Sequence, residues 1–156
     1  MKNSGQSILK QLLLLAMLCF LHSCKKDDSA NPPVSIVPEI ALFSVAPSVV
    51  HNLQDSLLFV VSYIDGDGDL GDYAADSLSL WITDNRFPLT EKFHIIPLAP
   101  QGSSLVIAGE LKVILEHIIL KDQTATSEEA TFTVQLKDRA GHWSNSVTSP
   151  VIMIVQ

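Results

Sequence analysis

The chain has 156 residues, 47% of them hydrophobic, with 17 acidic against 10 basic side chains and a formal net charge of −7. That balance argues against nucleic acid as a partner, because a surface that holds phosphates has to be basic. Two cysteines are too few for a disulfide-stapled mini-protein, so stability must come from a hydrophobic core, for which the length suffices.

The opening "MKNSGQSILKQLLLLAMLCFLHSC" sets basic Lys2 and Lys10 before an apolar run from Leu12 to Leu21, then small Ser23 beside Cys24. This is the layout of a cleavable secretory signal over residues 1–23. The run is too short for a membrane-spanning helix, which needs about 20 residues. Leu21-His22-Ser23-Cys24 resembles the bacterial lipobox, although His22 departs from the small or apolar residue usual there. The resemblance implies cleavage before Cys24, lipidation of its thiol and a membrane attachment through the lipid anchor. The alternative is an ordinary signal peptide with an incidental cysteine.

Lys25-Lys26-Asp27-Asp28 resembles the lipoprotein export signal of one Gram-negative lineage, which implies an outer-membrane lipoprotein facing the cell exterior. The alternative is a solvated charged tether. Without the leader, 17 acidic residues face 8 basic ones, a balance suited to divalent cations. The proline-rich "SANPPVSIVP" reads as an extended linker, so residues 24–38 are expected to be a tether and residues 39–156 one domain.

Within that domain, strands are predicted at residues 39–45, 56–64, 77–83, 91–96, 105–115, 131–137 and 147–155. "TFTVQLK" alternates Phe132, Val134 and Leu136 with polar residues, which places one face on a core and the other in water. "SLSLWIT" repeats the pattern with Leu78, Leu80 and Ile82 inward and Trp81 on the other face. "SLLFVVSYI" is apolar on both faces, as in the middle of a sheet. "GELKVILEHIILKD" is ambiguous, since Leu111, Ile114, Leu115, Ile118 and Ile119 also fit helical spacing; its first half reads as strand, with room for a short helix before Thr131. About seven short strands separated by turn residues predict an all-β, two-sheet sandwich of the immunoglobulin-like class.

Between the second and third predicted strands lies "IDGDGDLGD", Ile64 to Asp72. Asp65, Asp67 and Asp69 match the first three ligand positions of an EF-hand-type loop and Asp76 the twelfth, with Asp72 between. Leu70 stands where such a loop requires glycine and strands flank the segment, so it is not an EF-hand. It resembles the calcium-style Asp-x-Asp-x-Asp loops of secreted bacterial β-domains. Clustered carboxylates repel unless solvated or neutralised, and calcium, with its 6 to 8 oxygen ligands, suits this set better than zinc. The predicted cofactor is therefore a structural calcium ion. The alternative is a turn-rich connector, since Asp and Gly are the usual turn residues.

The last third, "ATFTVQLKDRAGHWSNSVTSPVIMIV", resembles the final hairpin of bacterial immunoglobulin-like domains, fibronectin-III-like or cadherin-like, with His142 where Asn is usual. In that topology the loop before the third strand and the final hairpin turn share one end of the sandwich, so Asp138 is predicted to approach Asp65–Asp76 and complete or orient the ion. Trp143 and His142 in that turn are the candidate partner contacts, although packing over the hairpin is the ordinary fate of such a Trp.

The histidines show no zinc-site spacing, "QGSSL" lacks the Gly-x-Ser-x-Gly elbow, and the aspartates lack an apolar pocket to raise a catalytic acid. The chain is thus expected not to be an enzyme. The expectation is a surface-anchored binding or accessory module with a glycan or surface-protein partner. The alternatives are a structural spacer of the envelope and an unrecognised hydrolase.

Overall fold

The structure, a computed structural model, describes residues 33–87 and 89–156. The leader 1–23, Cys24, the Lys25–Asp28 segment and the tether as far as residue 32 lie outside the described residues.

The domain is all-β, with no helix among the described residues. Its strands are β1 (Glu39–Ala46), β2 (Val49–His51), β3 (Leu57–Asp65), β4 (Leu78–Asp84), β5 (Leu89–His94), β6 (Ile107–Leu115), β7 (Ser127–Ala130), β8 (Phe132–Leu136), β9 (Val147–Thr148) and β10 (Ile152–Val155). They form three sheets with strand orders β1-β3-β6, β2-β10-β7 and β5-β4-β8-β9. Every pairing is antiparallel except β10 with β2.

Inward side chains of all three sheets meet in one core. Ile40, Phe59 and Val61 come from the first sheet, Val50, Ala130, Ile152 and Ile154 from the second, and Leu80, Ile82, Phe132, Val134 and Leu136 from the third. Phe59 and Phe132 cross edge to face at 5.8 Å, an arrangement that sets the ring edge of one against the electron-rich face of the other. The alternation read in β8 holds throughout: Phe132, Val134 and Leu136 are buried, and Thr133 and Gln135 are half-buried on the other side. β3 is buried on both faces only over Phe59–Val61.

Five details depart from the sequence reading. The β4–β5 register shifts between Leu78 and Leu80, so Leu78 turns outward, 42% exposed, while Ser79 is buried. The predicted strand 147–155 breaks into β9 and β10, because the Ser149 hydroxyl accepts the Phe132 N–H at 3.0 Å and the Ser149 N–H donates to the Phe132 carbonyl at 2.8 Å. β2, three residues long, shows no period to read. Residues 116–126 form no helix: Ile118 and Leu120 enter the core, and their backbone polar groups bond to Asn52 and Leu53 far along the chain. The expected tether also ends early, since Val34 and Ser35 pack their carbonyls against Gly66, where an added Cβ would stand 2.5 Å from both oxygens.

Candidate metal centre

The acidic loop starts at the last residue of β3, Asp65, which is fully buried. Its Oδ2 accepts the backbone N–H groups of Gly68 (2.9 Å) and Asp69 (3.0 Å), curling the chain so that alternate side chains converge. Gly68 makes that curl at φ = 75°, a conformation that costs an L side chain strain, and a Cβ there would meet the Leu105 carbonyl at 2.7 Å. Leu70 then drops fully into the core, and Gly71, at φ = 78°, passes so close to Ile96 that a Cβ would sit 2.2 Å from its carbonyl oxygen. Backbone bonds from Asp72 N–H to the Ile95 carbonyl and from Leu98 N–H to the Leu70 carbonyl fix the exit of the loop.

The result is a convergence of one carboxylate oxygen each from Asp65, Asp67 and Asp69, all within 4.8 Å of one another. Oxygens bound to one calcium at 2.3 to 2.6 Å can be at most about 5 Å apart, so this spacing fits a single coordination shell. The Oδ1 atoms of all three are buried and have no hydrogen-bond partner. A buried, unpartnered carboxylate oxygen is costly, and two unit charges at 4.8 Å repel by about 3.5 kcal/mol at an effective dielectric of about 20. Burial pushes the Asp65 carboxyl above its ordinary pKa, the charges of Asp67 and Asp138 add to the rise, and the two N–H bonds oppose it. Asp69 is raised by the same main cause, burial, with Asp138, Asp67 and Asp65 adding and the Ala140 N–H opposing. The donor set is all oxygen, which suits a hard divalent cation and not zinc.

The last hairpin docks on this loop. Ala140 N–H donates to Asp69 Oδ2 at 2.9 Å, Arg139 N–H to the Asp69 carbonyl at 3.3 Å, and Arg139 Nη1 to the Gly71 carbonyl at 2.7 Å. Asp138 is buried beside the loop, near enough for its charge to act on Asp65 and Asp69. It stays outside the three-oxygen group, because His142 engages both its oxygens, the N–H at 2.7 Å and Nδ1 at 2.8 Å.

The remaining sequence candidates stand elsewhere. Asp72 Oδ1 caps the next turn by accepting the Ala74 N–H at 3.0 Å, and that bond holds its carboxyl below the ordinary value. Asp76 is exposed. Neither joins the group, because Leu70 in the core and Gly71 on Ile96 turn the chain away after Asp69. His142 is held by Asp138, and Trp143 packs edge to face on Trp81 at 4.6 Å. Two long-range ties were not read from sequence: Arg139, which braces the loop at Gly71, and Asn145, which ties the hairpin region to β1, its amide gripping both the N–H and the carbonyl of Ile40 at 2.8 Å. Their partners lie 68 and 105 residues away, and no local pattern announces them.

No protein family matches the chain, and neither a curated protein nor a solved structure matches it.

Proposed function

We propose that this chain is a lipid-anchored surface protein whose one immunoglobulin-like sandwich binds calcium through Asp65, Asp67 and Asp69, and serves as a binding or accessory module. The metal reading is carried by the convergence of one carboxylate oxygen each from Asp65, Asp67 and Asp69 within 4.8 Å, in three residues whose Oδ1 atoms are buried with no hydrogen-bond partner. The sandwich reading is supported by strand order. β1-β3-β6 makes one layer, and the other two sheets share the nearly continuous segments β7–β8 and β9–β10, so they join as the second, in immunoglobulin-like order. The anchor and the outward orientation rest on the Leu21–Cys24 and Lys25–Asp28 resemblances.

Calcium bound here neutralises three crowded charges. Asp138 would orient the turn from behind through His142, and the bonds from Arg139 and Ala140 onto the loop would pass the ion's constraint to the final hairpin. A structural spacer is the second reading, favoured by those same bonds, because stiffening one end of the domain needs no ligand.

Thermal unfolding of the full chain in detergent, with calcium and with chelator, tests the metal reading. At a hundred times its Kd a ligand of the folded state stabilises by about 2.7 kcal/mol. An unchanged midpoint at millimolar calcium would remove the ion from the proposal.

A further inference from the structure

The outer face of the β5-β4-β8-β9 sheet differs in chemistry from the rest of this acidic domain. Trp81, Lys92 and Gln135 stand in register on β4, β5 and β8. Their neighbours Leu80 and Ile82 point into the core, so these three side chains share the outer face. Lys137 pairs with Trp143 in an isolated bridge just beyond β8. The two indoles meet edge to face, 4.6 Å between centroids at 72°. The Lys92 ammonium lies 4.2 Å from the Trp81 ring centroid and the Lys137 ammonium 5.5 Å from that of Trp143. Neither lysine forms an ion pair among the described residues.

The carboxylates of these strands are elsewhere. Glu91 pairs with Ile82 and Asp84 with Phe132, on the inward side, where both line a recess and Arg86 engages Asp84 at 2.7 Å. Alternation thus sorts the charge: the outer side of β4, β5 and β8 presents lysines, indoles, Gln135 and a row of hydroxyls, Thr83, Thr90 and Thr133. In a chain with 17 acidic and 10 basic residues, two cations held on aromatic rings with no carboxylate of β4, β5 or β8 on their face form a local positive patch.

From this arrangement we infer that the outer face around Trp81, Trp143, Lys92 and Lys137 binds an anionic polysaccharide, carboxylated or sulfated. The inference rests on the binding-module reading above and names its ligand class. The ammonium groups meet the acid groups, the exposed parts of the indoles pack on sugar C–H faces, and the Thr and Gln side chains bond to hydroxyls along an extended chain. An acidic peptide would use the charges but has no need of the hydroxyl row.

Affinity electrophoresis and calorimetry of the full chain in detergent, with dextran sulfate, hyaluronan, neutral dextran and poly-glutamate as probes, test this. The expected result is binding to the two anionic glycans, none to neutral dextran, marked weakening on raising salt from about 0.05 to 0.5 M, and at least a tenfold loss in the Lys92→Gln/Lys137→Gln double variant with an unchanged melting temperature. Binding that the double variant retains, binding to neutral dextran of equal strength, or binding to poly-glutamate alone would overturn the inference. Terbium luminescence on the same sample reads the metal centre separately. A terbium signal without glycan binding refutes only the sheet-face inference, and glycan binding without a terbium signal refutes only the metal centre.

Discussion

Replacing Asp65 by Asn separates the electrostatic cost of the metal centre from its affinity for an ion. The amide keeps an oxygen where Asp65 Oδ2 accepts the Gly68 and Asp69 N–H groups, so the turn survives. At the Oδ1 position, buried and without a partner, the new NH₂ removes one charge from the cluster and offers a donor to the carboxylates of Asp67 and Asp69. Without metal, the change exchanges an uncompensated buried acceptor for a donor among acceptors, a gain of about 1 to 3 kcal/mol. The folded unit runs from Pro33 to Gln156, a size at which about 1 kcal/mol moves Tm by about 4 °C. In chelator the variant should therefore melt above the natural protein by about 4 to 12 °C. Calcium at a hundred times Kd would stabilise the natural protein by about 2.7 kcal/mol, whereas a hundredfold loss of affinity would leave the variant about 0.4 kcal/mol. Differential scanning calorimetry in chelator and in calcium reads both numbers. A variant that melts below the natural protein in chelator would show that Asp65 is satisfied as it stands, and one that keeps the whole calcium shift would place the ion elsewhere.

Gly71→Ala should destabilise the fold with or without calcium, by about 1 to 3 kcal/mol for the strained backbone and further for the approach to the Ile96 carbonyl, read as a fall in Tm under both conditions. Leu70→Ala should cost about 2 to 5 kcal/mol in denaturant melts, because it empties a fully buried core position. The calcium shift in Tm should grow as pH rises. Asp65 and Asp69 carry raised folded-state values, so the metal-free fold holds protons that the unfolded chain releases and loses stability as pH climbs from the ordinary 3.8 through the raised values. Calcium cancels that loss, so melts from about pH 4 to pH 7.5 should show the gap between calcium and chelator widening, and a constant gap would contradict the burial of the pair. Asn145→Ala should speed hydrogen exchange at the Ile40 amide, which loses its acceptor, while leaving the terbium signal at the metal centre intact.

What the sequence made legible divides along the range of the interactions. The alternation of Phe132, Val134 and Leu136 is a local consequence of the pleat, and β8 follows it residue for residue. The same rule fails at Leu78 because a register shift against β5 places two residues opposite one, and nothing within "SLSLWIT" encodes the partner's offset. Ile118 and Ile119 fit a helical period, but the Ile118 carbonyl is held by Leu53 and the Leu120 N–H by Asn52, an instance of tertiary contacts overriding local preference. In the acidic loop, the convergence of Asp65, Asp67 and Asp69 was readable because glycines between alternate acids let the backbone curl tightly enough for alternate side chains to meet. Counting onward to Asp76 assumed that the loop keeps winding around the ion. Leu70, already the odd residue in the pattern, is where it stops.

Leu70 therefore explains more than a missing glycine. In an EF-hand-type loop the sixth position lets the chain turn sharply and stay wrapped around the cation. Here the corresponding residue is a fully buried hydrophobe, the carbonyl of that residue accepts the Leu98 N–H, and the next residue is pressed on Ile96. The loop is thereby tied to the core on one side and, through Asp69, to Ala140 and Arg139 of the last hairpin on the other. An ion held by three carboxylates in such a loop acts on two distant segments at once. The turn it braces carries Lys137 and Trp143 at its ends, half of the positively charged sheet face. The acidic loop and this face are thus joined by a short stretch of chain, residues 137–143, and calcium at the loop would hold one edge of the proposed binding surface in place.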